Sequence, residues 1–83
     1  MMTIARTTGQ VGSALRRFRR KAGLTQKNLG LKMSARQATV SKLEAGEAGT
    51  QLRILMAALA ALDLELVIRP RTKANTDSIE DLF

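Results

Sequence analysis

A cluster of hydrogen-bonding side chains occupies the stretch RQATVSKLEAG, residues 36–46. An apolar spine of Ala38, Val40 and Leu43 runs through it, with the spacing of a helix that buries one side. Beside this spine lies a polar edge of side chains that can donate or accept hydrogen bonds: Arg36, Gln37, Thr39, Ser41 and Lys42. Such a polar edge is either an ordinary solvated helix face or a surface that bonds to a specific partner.

The composition argues against catalytic and metal chemistry. The 83-residue chain contains neither cysteine nor histidine, which excludes disulfides and the usual zinc ligand sets. Its seven carboxylates form no paired site, and no glycine-rich phosphate loop or serine nucleophile motif occurs. We therefore expect no enzyme activity, no metal and no cofactor.

The charge is strongly positive and unevenly distributed. Fourteen basic and seven acidic residues give a net charge of +7, and residues 1–62 alone hold eleven basic and two acidic residues. Such an excess attracts polyanions, either nucleic acid or an anionic membrane. No apolar run approaches the ~20 residues of a membrane-spanning helix, and the N-terminus lacks a signal-peptide pattern. We expect a cytoplasmic protein that binds nucleic acid and no membrane.

Hydrophobic periodicity predicts a mostly α-helical domain of four helices. The first helix follows a cap at Thr8, buries a stripe that includes Leu15, and ends at Gly23. A second, short helix starts at Thr25, and Gly30 within it allows a neighbouring helix to approach closely. These two helices precede the polar edge directly.

The third helix carries the polar edge and ends at Gly46. Thr50 is the expected cap of a fourth helix, QLRILMAALAAL, whose leucines should face the core: Leu52, Leu55, Leu59 and Leu62. This helix has a second apolar side with Ile54 and Met56. That side is either ordinary core or part of a dimer interface.

The segment DLELVIRP changes the apolar period from 3.6 to 2, which predicts a β-strand over residues 63–69. A lone strand cannot satisfy its backbone groups, so we expect it to pair with its counterpart across a homodimer. The expected dimerisation residues are Leu64, Leu66, Val67 and Ile68. The alternative is an extended segment that packs on the fourth helix without pairing.

The predicted organisation has three parts. Residues 1–7 form a flexible arm, residues 8–70 the helical domain with its strand, and residues 71–83 a flexible acidic tail. The tail combines acidic and apolar side chains near its end. It either aids solubility or orders on a groove of another protein.

Two short helices joined by a tight turn can place the second helix in a DNA major groove, about 12 Å wide, while the first contacts the backbone. The sequence LTQKNLGLKMSARQATVSKLEAG, residues 24–46, resembles the helix-turn-helix of the XRE/Cro-type repressors, which implies a λ-repressor-like fold of four to five helices. The shared pattern is TQ, a small residue, a turn, and Q-x-T-V-S-x-L-E-x-G. Leu31 departs from it, since relatives usually carry a polar residue there.

The resemblance implies roles for individual residues. Base edges are expected to be read by the start of the recognition helix and one residue a turn later: Arg36, Gln37, Ala38 and Lys42. Contacts with the DNA backbone are expected from Gln26, Thr39 and Ser41. Lys27 and, on the first helix, Arg17 are expected to add phosphate contacts through their charge, although the family pattern does not distinguish them from Arg16 and Arg20, and charge on the first helix is often only a solvated face. Arg19 and Glu44 match a structural salt bridge between the first and third helices.

The strand that follows the fourth helix narrows the resemblance to the HipB-type antitoxins. That group implies a homodimer that binds palindromic operators in double-stranded DNA, represses its own operon and holds a HipA-like Ser/Thr kinase toxin inactive. In this interpretation Leu82 and Phe83 contact the toxin. The protein would act in the bacterial cytoplasm, on the nucleoid when bound to DNA.

Two other functions remain open. One is a stand-alone XRE-family regulator, or an antitoxin to another toxin class, without a kinase partner. The other is a protein-interaction adaptor that uses its positive charge on an acidic partner. Gln26, Gln37 and Lys42 argue against the adaptor, because it would not need these residues at positions that read a groove.

Overall fold

The computed structural model describes residues 2–71, which form four helices. These are α1 (Thr8–Lys21), α2 (Gln26–Met33), α3 (Gln37–Glu44) and α4 (Leu52–Ala61). The expected mostly helical class is confirmed. Helices of eight to fourteen residues are marginal in isolation, so packing must stabilise them. None of the four is long and apolar enough to cross a bilayer.

One of the three predicted N-terminal helix caps agrees with the structure, and two differ from it. Thr25 caps α2 through a capping box with Asn28, as expected. Thr7 rather than Thr8 caps α1, because its Oγ1 accepts the Gln10 backbone N–H at 3.0 Å. The cap predicted at Thr50 is wrong, since α4 begins after residue 51, whose side chain makes no capping hydrogen bond.

A tight turn of three residues joins α2 to α3. Ser34 ends α2 in the left-handed conformation, at φ 57°, and the Ala35 N–H donates to the Gly30 carbonyl at 2.8 Å. A Cβ atom at Gly30 would lie only 2.8 Å from the Ala35 carbonyl oxygen. The predicted close approach at Gly30 is therefore confirmed, and it brings α3 directly against α2.

All four helices contribute to the core. One buried cluster consists of Leu15, Leu43, Ala58 and Leu59, and Leu29 of α2 and Val40 of α3 are fully buried as well. Leu55 and Leu62 are half-buried against the cluster. The expectation that Leu52 faces the core is wrong, since this side chain is 68% exposed. Leu52 and Met56 lie one helical turn apart, and both are exposed, so α4 has an uncovered apolar side in the single chain.

The chain leaves α4 at Asp63, which has φ 59°. The Leu64 N–H still donates to the Leu59 carbonyl at 2.7 Å, but residues 64–71 then have no regular secondary structure. The predicted strand over residues 63–69 is thus not formed by one chain, because residues 2–71 contain no second strand to pair with it. Its pairing across a dimer stays a prediction.

A buried ion pair connects α1 with α3. The Arg19 Nε and Nη2 groups donate to the two Glu44 carboxylate oxygens at 2.6 and 3.0 Å. The Arg19 Nη1 group also donates to the Leu24 carbonyl at 2.8 Å, after the end of α1. Both side chains are more than 90% buried. The salt bridge implied by the family pattern is confirmed.

Glu44→Ala should lower the free energy of unfolding by about 3–5 kcal/mol, because it leaves the Arg19 guanidinium buried without its carboxylate. Urea denaturation measures the change. Glu47→Ala, which removes an exposed carboxylate in the next turn of chain, is the matched control and should stay within about 0.5 kcal/mol. Equal losses in the two variants would show that the buried pair contributes little.

Candidate nucleic-acid interface

One side of α3 is buried and the other is open to solvent. Val40, Leu43 and Glu44 are buried. The exposed residues form two neighbouring rows at i, i+4 spacing, Gln37 with Ser41 and Ala38 with Lys42, and Arg36 lies exposed at the N-cap position. We call these exposed residues, Arg36, Gln37, Ala38, Ser41 and Lys42, the recognition strip. They include all four residues expected to read bases.

Thr39 lies apart from the strip, half-buried at its edge. With Lys42 it lines an open cleft of about 390 Å³ between α3 and the start of α4. Arg53 lines the same cleft, and so does Glu47. Sequence reasoning missed Arg53, because this residue lies outside the helix-turn-helix motif. The only available signal was a basic residue in the first turn of α4.

Gln26 is the first residue of α2, and its half-buried side chain touches α3. The Gln26 Nε2 group donates to Glu44 Oε1 at 3.1 Å, so this carboxylate binds both Gln26 and Arg19. The hydrogen bond holds the Gln26 amide at the α2 N-terminus. The first N–H groups of a helix have no acceptor within the helix, and the first turn of α2 contains no acidic residue. This end of α2 therefore favours an anion.

Two further cations were expected at the DNA backbone. Lys27 is exposed and follows Gln26 at the start of α2. Arg17 lies elsewhere: α1 turns Leu15 and Arg19 towards the interior, and a residue two positions from each lies on the opposite side of the helix. Its Nη2 group donates to Thr3 Oγ1 at 3.4 Å. The structure does not bring Arg17 together with the recognition strip.

The residues expected to contact protein partners fall in two regions. Leu64 is half-buried, whereas Leu66, Val67 and Ile68 are exposed, Ile68 to 90%. Leu82 and Phe83 lie outside the described residues. Leu31, where the sequence departs from the family pattern, is exposed on α2 to 69%.

Comparison with known families and structures agrees with this geometry. A family model described as helix-turn-helix matches residues 15–68, which include α2, the turn, α3 and α4. No curated protein matches the sequence.

Solved HipB structures are similar to this chain. A HipA–HipB–O2–O3 complex matches with a TM-score of 0.77 and 26% identity over 83% of this chain and 97% of the solved one. A complex of a HipB variant with an O2 20mer matches with a TM-score of 0.78 and 26% identity, over 84% and 97% of the two chains. A HipB–O4 20mer complex gives 0.77 and 26%, over 83% and 97%.

The matched segment covers more than half of the chain and contains the motif whose geometry is described above. The chain therefore belongs to the helix-turn-helix family, and within it to the XRE-type DNA-binding regulators.

Proposed function

We propose that this protein is a sequence-specific repressor that binds palindromic operators in double-stranded DNA as a homodimer and controls its own operon. The observation that carries the proposal is the recognition strip. Its hydrogen-bonding side chains are exposed in two rows on α3, while the opposite side of α3 is held by the core and by the buried Glu44. A helix mounted in this way can enter a major groove without deforming the domain.

Four residues of the strip have side chains that suit a base edge. Gln37 can form two hydrogen bonds with adenine, and Arg36 can do the same with guanine. The Ala38 methyl group can contact a thymine methyl group, and Lys42 can donate to an acceptor one helical turn further on. A good bidentate pair discriminates between bases by ~1–3 kcal/mol, so two such pairs are enough for useful specificity.

Contacts with the phosphate backbone would position the strip. Gln26 and Lys27 lie at the N-terminus of α2, which favours an anion. Thr39 lies at the edge of the strip and Ser41 within it, and Arg53 adds a cation in the cleft beside Lys42. Arg17 lies on the far side of α1 and would act through the general positive field of the domain.

The dimer is proposed to form through the segment after α4. Leu66, Val67 and Ile68 are large apolar side chains that one chain leaves exposed. Pairing two such segments would cover these side chains and satisfy the backbone groups. A two-fold dimer would present its two recognition helices about 34 Å apart, one turn of DNA, which suits a palindrome.

The antitoxin role rests on the similarity to HipB, which one of the matched structures holds in a complex with HipA. We infer that a HipA-like Ser/Thr kinase is the partner of this chain, with Leu82 and Phe83 of its tail as contact residues. The alternative is a stand-alone regulator, or an antitoxin to another toxin class. The two functions share the recognition strip and differ only in the protein partner.

Gln37→Ala should weaken binding to the operator by about 1–3 kcal/mol and leave binding to unrelated DNA nearly unchanged, because it removes a base contact. Lys27→Ala, the matched comparison, should weaken both kinds of binding and reduce the salt dependence, because it removes a phosphate contact. Fluorescence anisotropy at several salt concentrations measures both effects. If Gln37→Ala weakens both kinds of binding equally, Gln37 does not read bases.

Val67→Pro should shift the protein from dimer to monomer in analytical ultracentrifugation, because proline removes an N–H group that the paired strand needs. Val67→Thr keeps this N–H group and the β-branch, and it should remain dimeric. A stable dimer in the proline variant would instead assign the interface to the exposed side of α4, around Leu52 and Met56.

Purification of the full chain from its native cytoplasm should recover both its own promoter DNA and a HipA-like kinase. A chain cut after Lys73 should keep the DNA and lose the kinase, because it retains every residue of the proposed DNA interface and lacks Leu82 and Phe83. Mass spectrometry and sequencing identify the two partners. Promoter DNA without a kinase would support the stand-alone regulator.

A further inference from the structure

A groove separate from the recognition strip lies between the N-terminal residues and the end of the described chain. It has a volume of about 470 Å³. Its apolar wall includes Ile4 and Val11 from one side and Pro70 from the other. Three basic residues also line it, Arg6, Arg69 and Arg71. None of the proposed base-reading or phosphate-contacting residues belongs to this groove.

The lining of the groove indicates the chemistry of its occupant. Among residues 2–71 no acidic side chain lines it, so the charged side chains of its lining are all basic. Ile4 is half exposed and offers apolar surface beside these charges. A nucleic-acid backbone would match the arginines but not the apolar wall. A peptide that combines carboxylates with large apolar side chains matches both.

The chain itself carries such a peptide. Residues 72–83 continue directly from Arg71, which lines the groove. Their acidic residues are Asp77, Glu80 and Asp81, and their large apolar residues are Ile79, Leu82 and Phe83. Five residues lie between Arg71 and Asp77, and the six steps along the chain can span up to about 20 Å, so the acidic segment can return to the groove from which it starts.

We propose that the C-terminal segment of residues 77–83 docks in this groove of its own chain, with its carboxylates against Arg69 and Arg71 and its apolar side chains against Ile4, Val11 and Pro70. Attachment at Arg71 gives the segment a high effective concentration at the groove. The arginines are exposed, so each ion pair is weak and screened by salt, and docking is reversible. A partner that binds Leu82 and Phe83 must displace this contact.

The test uses the full chain without DNA and without any kinase. A negative result would therefore contradict the docking of the tail and would not bear on the proposed binding of DNA or of a kinase. The protein has no native cysteine, so Ser78→Cys provides a single site for a nitroxide label. In ¹⁵N-labelled protein the nitroxide should attenuate the amide signals of Ile4, Val11 and Arg69 several-fold more than those of Arg20 and Lys21. The latter lie at the other end of α1, about 20 Å from Thr8.

The decisive control keeps the covalent attachment of the segment at Arg71 and removes the carboxylate charges that attract it to the groove. In the labelled chain, Asp77→Asn, Glu80→Gln and Asp81→Asn together retain the size of each side chain and should abolish most of the attenuation at Ile4 and Val11. Arg69→Gln with Arg71→Gln should have the same effect from the groove side. Arg20→Gln, which removes an exposed charge at the far end of α1, should leave the attenuation unchanged.

Two outcomes would overturn the proposal. Equal attenuation with the charged and the neutralised tail would mean that the tail is only tethered near the groove. Equal attenuation in a mixture of spin-labelled ¹⁴N protein and unlabelled ¹⁵N protein would assign the groove to the tail of a second copy.

Discussion

The buried ion pair between Arg19 and Glu44 is the interaction on which the position of the recognition strip depends. α3 has eight residues and no side-chain cap, so its position must come from its tertiary contacts. Glu44 accepts hydrogen bonds from Arg19 on α1 and from Gln26 on α2, which leaves neither carboxylate oxygen without a donor. Removing two charges from water is costly, and this complete set of partners offsets that cost. One side chain thus fixes α3 against both preceding helices.

The same arrangement connects the fold to the proposed contact with DNA. Gln26 is a residue of the α2 N-terminus and at the same time a ligand of the buried carboxylate. Its amide is therefore held in place before any phosphate arrives, and less conformational entropy is lost on binding. The glycine at position 30, where a Cβ would meet the carbonyl of Ala35, fixes the other end of α2 against α3. The two helices form one unit.

Charge and apolar surface divide the rest of the chain into regions of different chemistry. Residues 1–71 hold thirteen basic and four acidic residues, a net charge of +9, whereas residues 72–83 hold one basic and three acidic residues, a net charge of −2. Large apolar side chains stay exposed on α4 and on the segment after it. A domain of this size buries only a small core and is marginally stable. Burial of these exposed apolar side chains against a second copy would add to its stability. The contacts proposed with DNA, with a second copy and with the acidic segment are therefore assigned to different groups of residues.

Local rules were enough for much of this structure. Apolar periodicity predicted the four helices, Gly23 and Gly46 end helices with positive φ as expected, and the family pattern identified the salt bridge and the polar edge of α3. Sequence alone was less successful where either of two neighbouring residues could cap a helix. Thr7 and Thr8 are both good caps, and only the backbone conformation shows that Thr7 has the cap geometry.

Tertiary structure alone decided which sides of the helices are covered. Leu52 fits the apolar stripe of α4 yet is exposed, Arg17 lies on the far side of α1 from the interior, and Arg53 meets Lys42 only across a cleft between two helices. Helical periodicity is a local property that specifies which residues share a side. The partner of that side depends on how distant segments pack, and no short stretch of sequence contains that information.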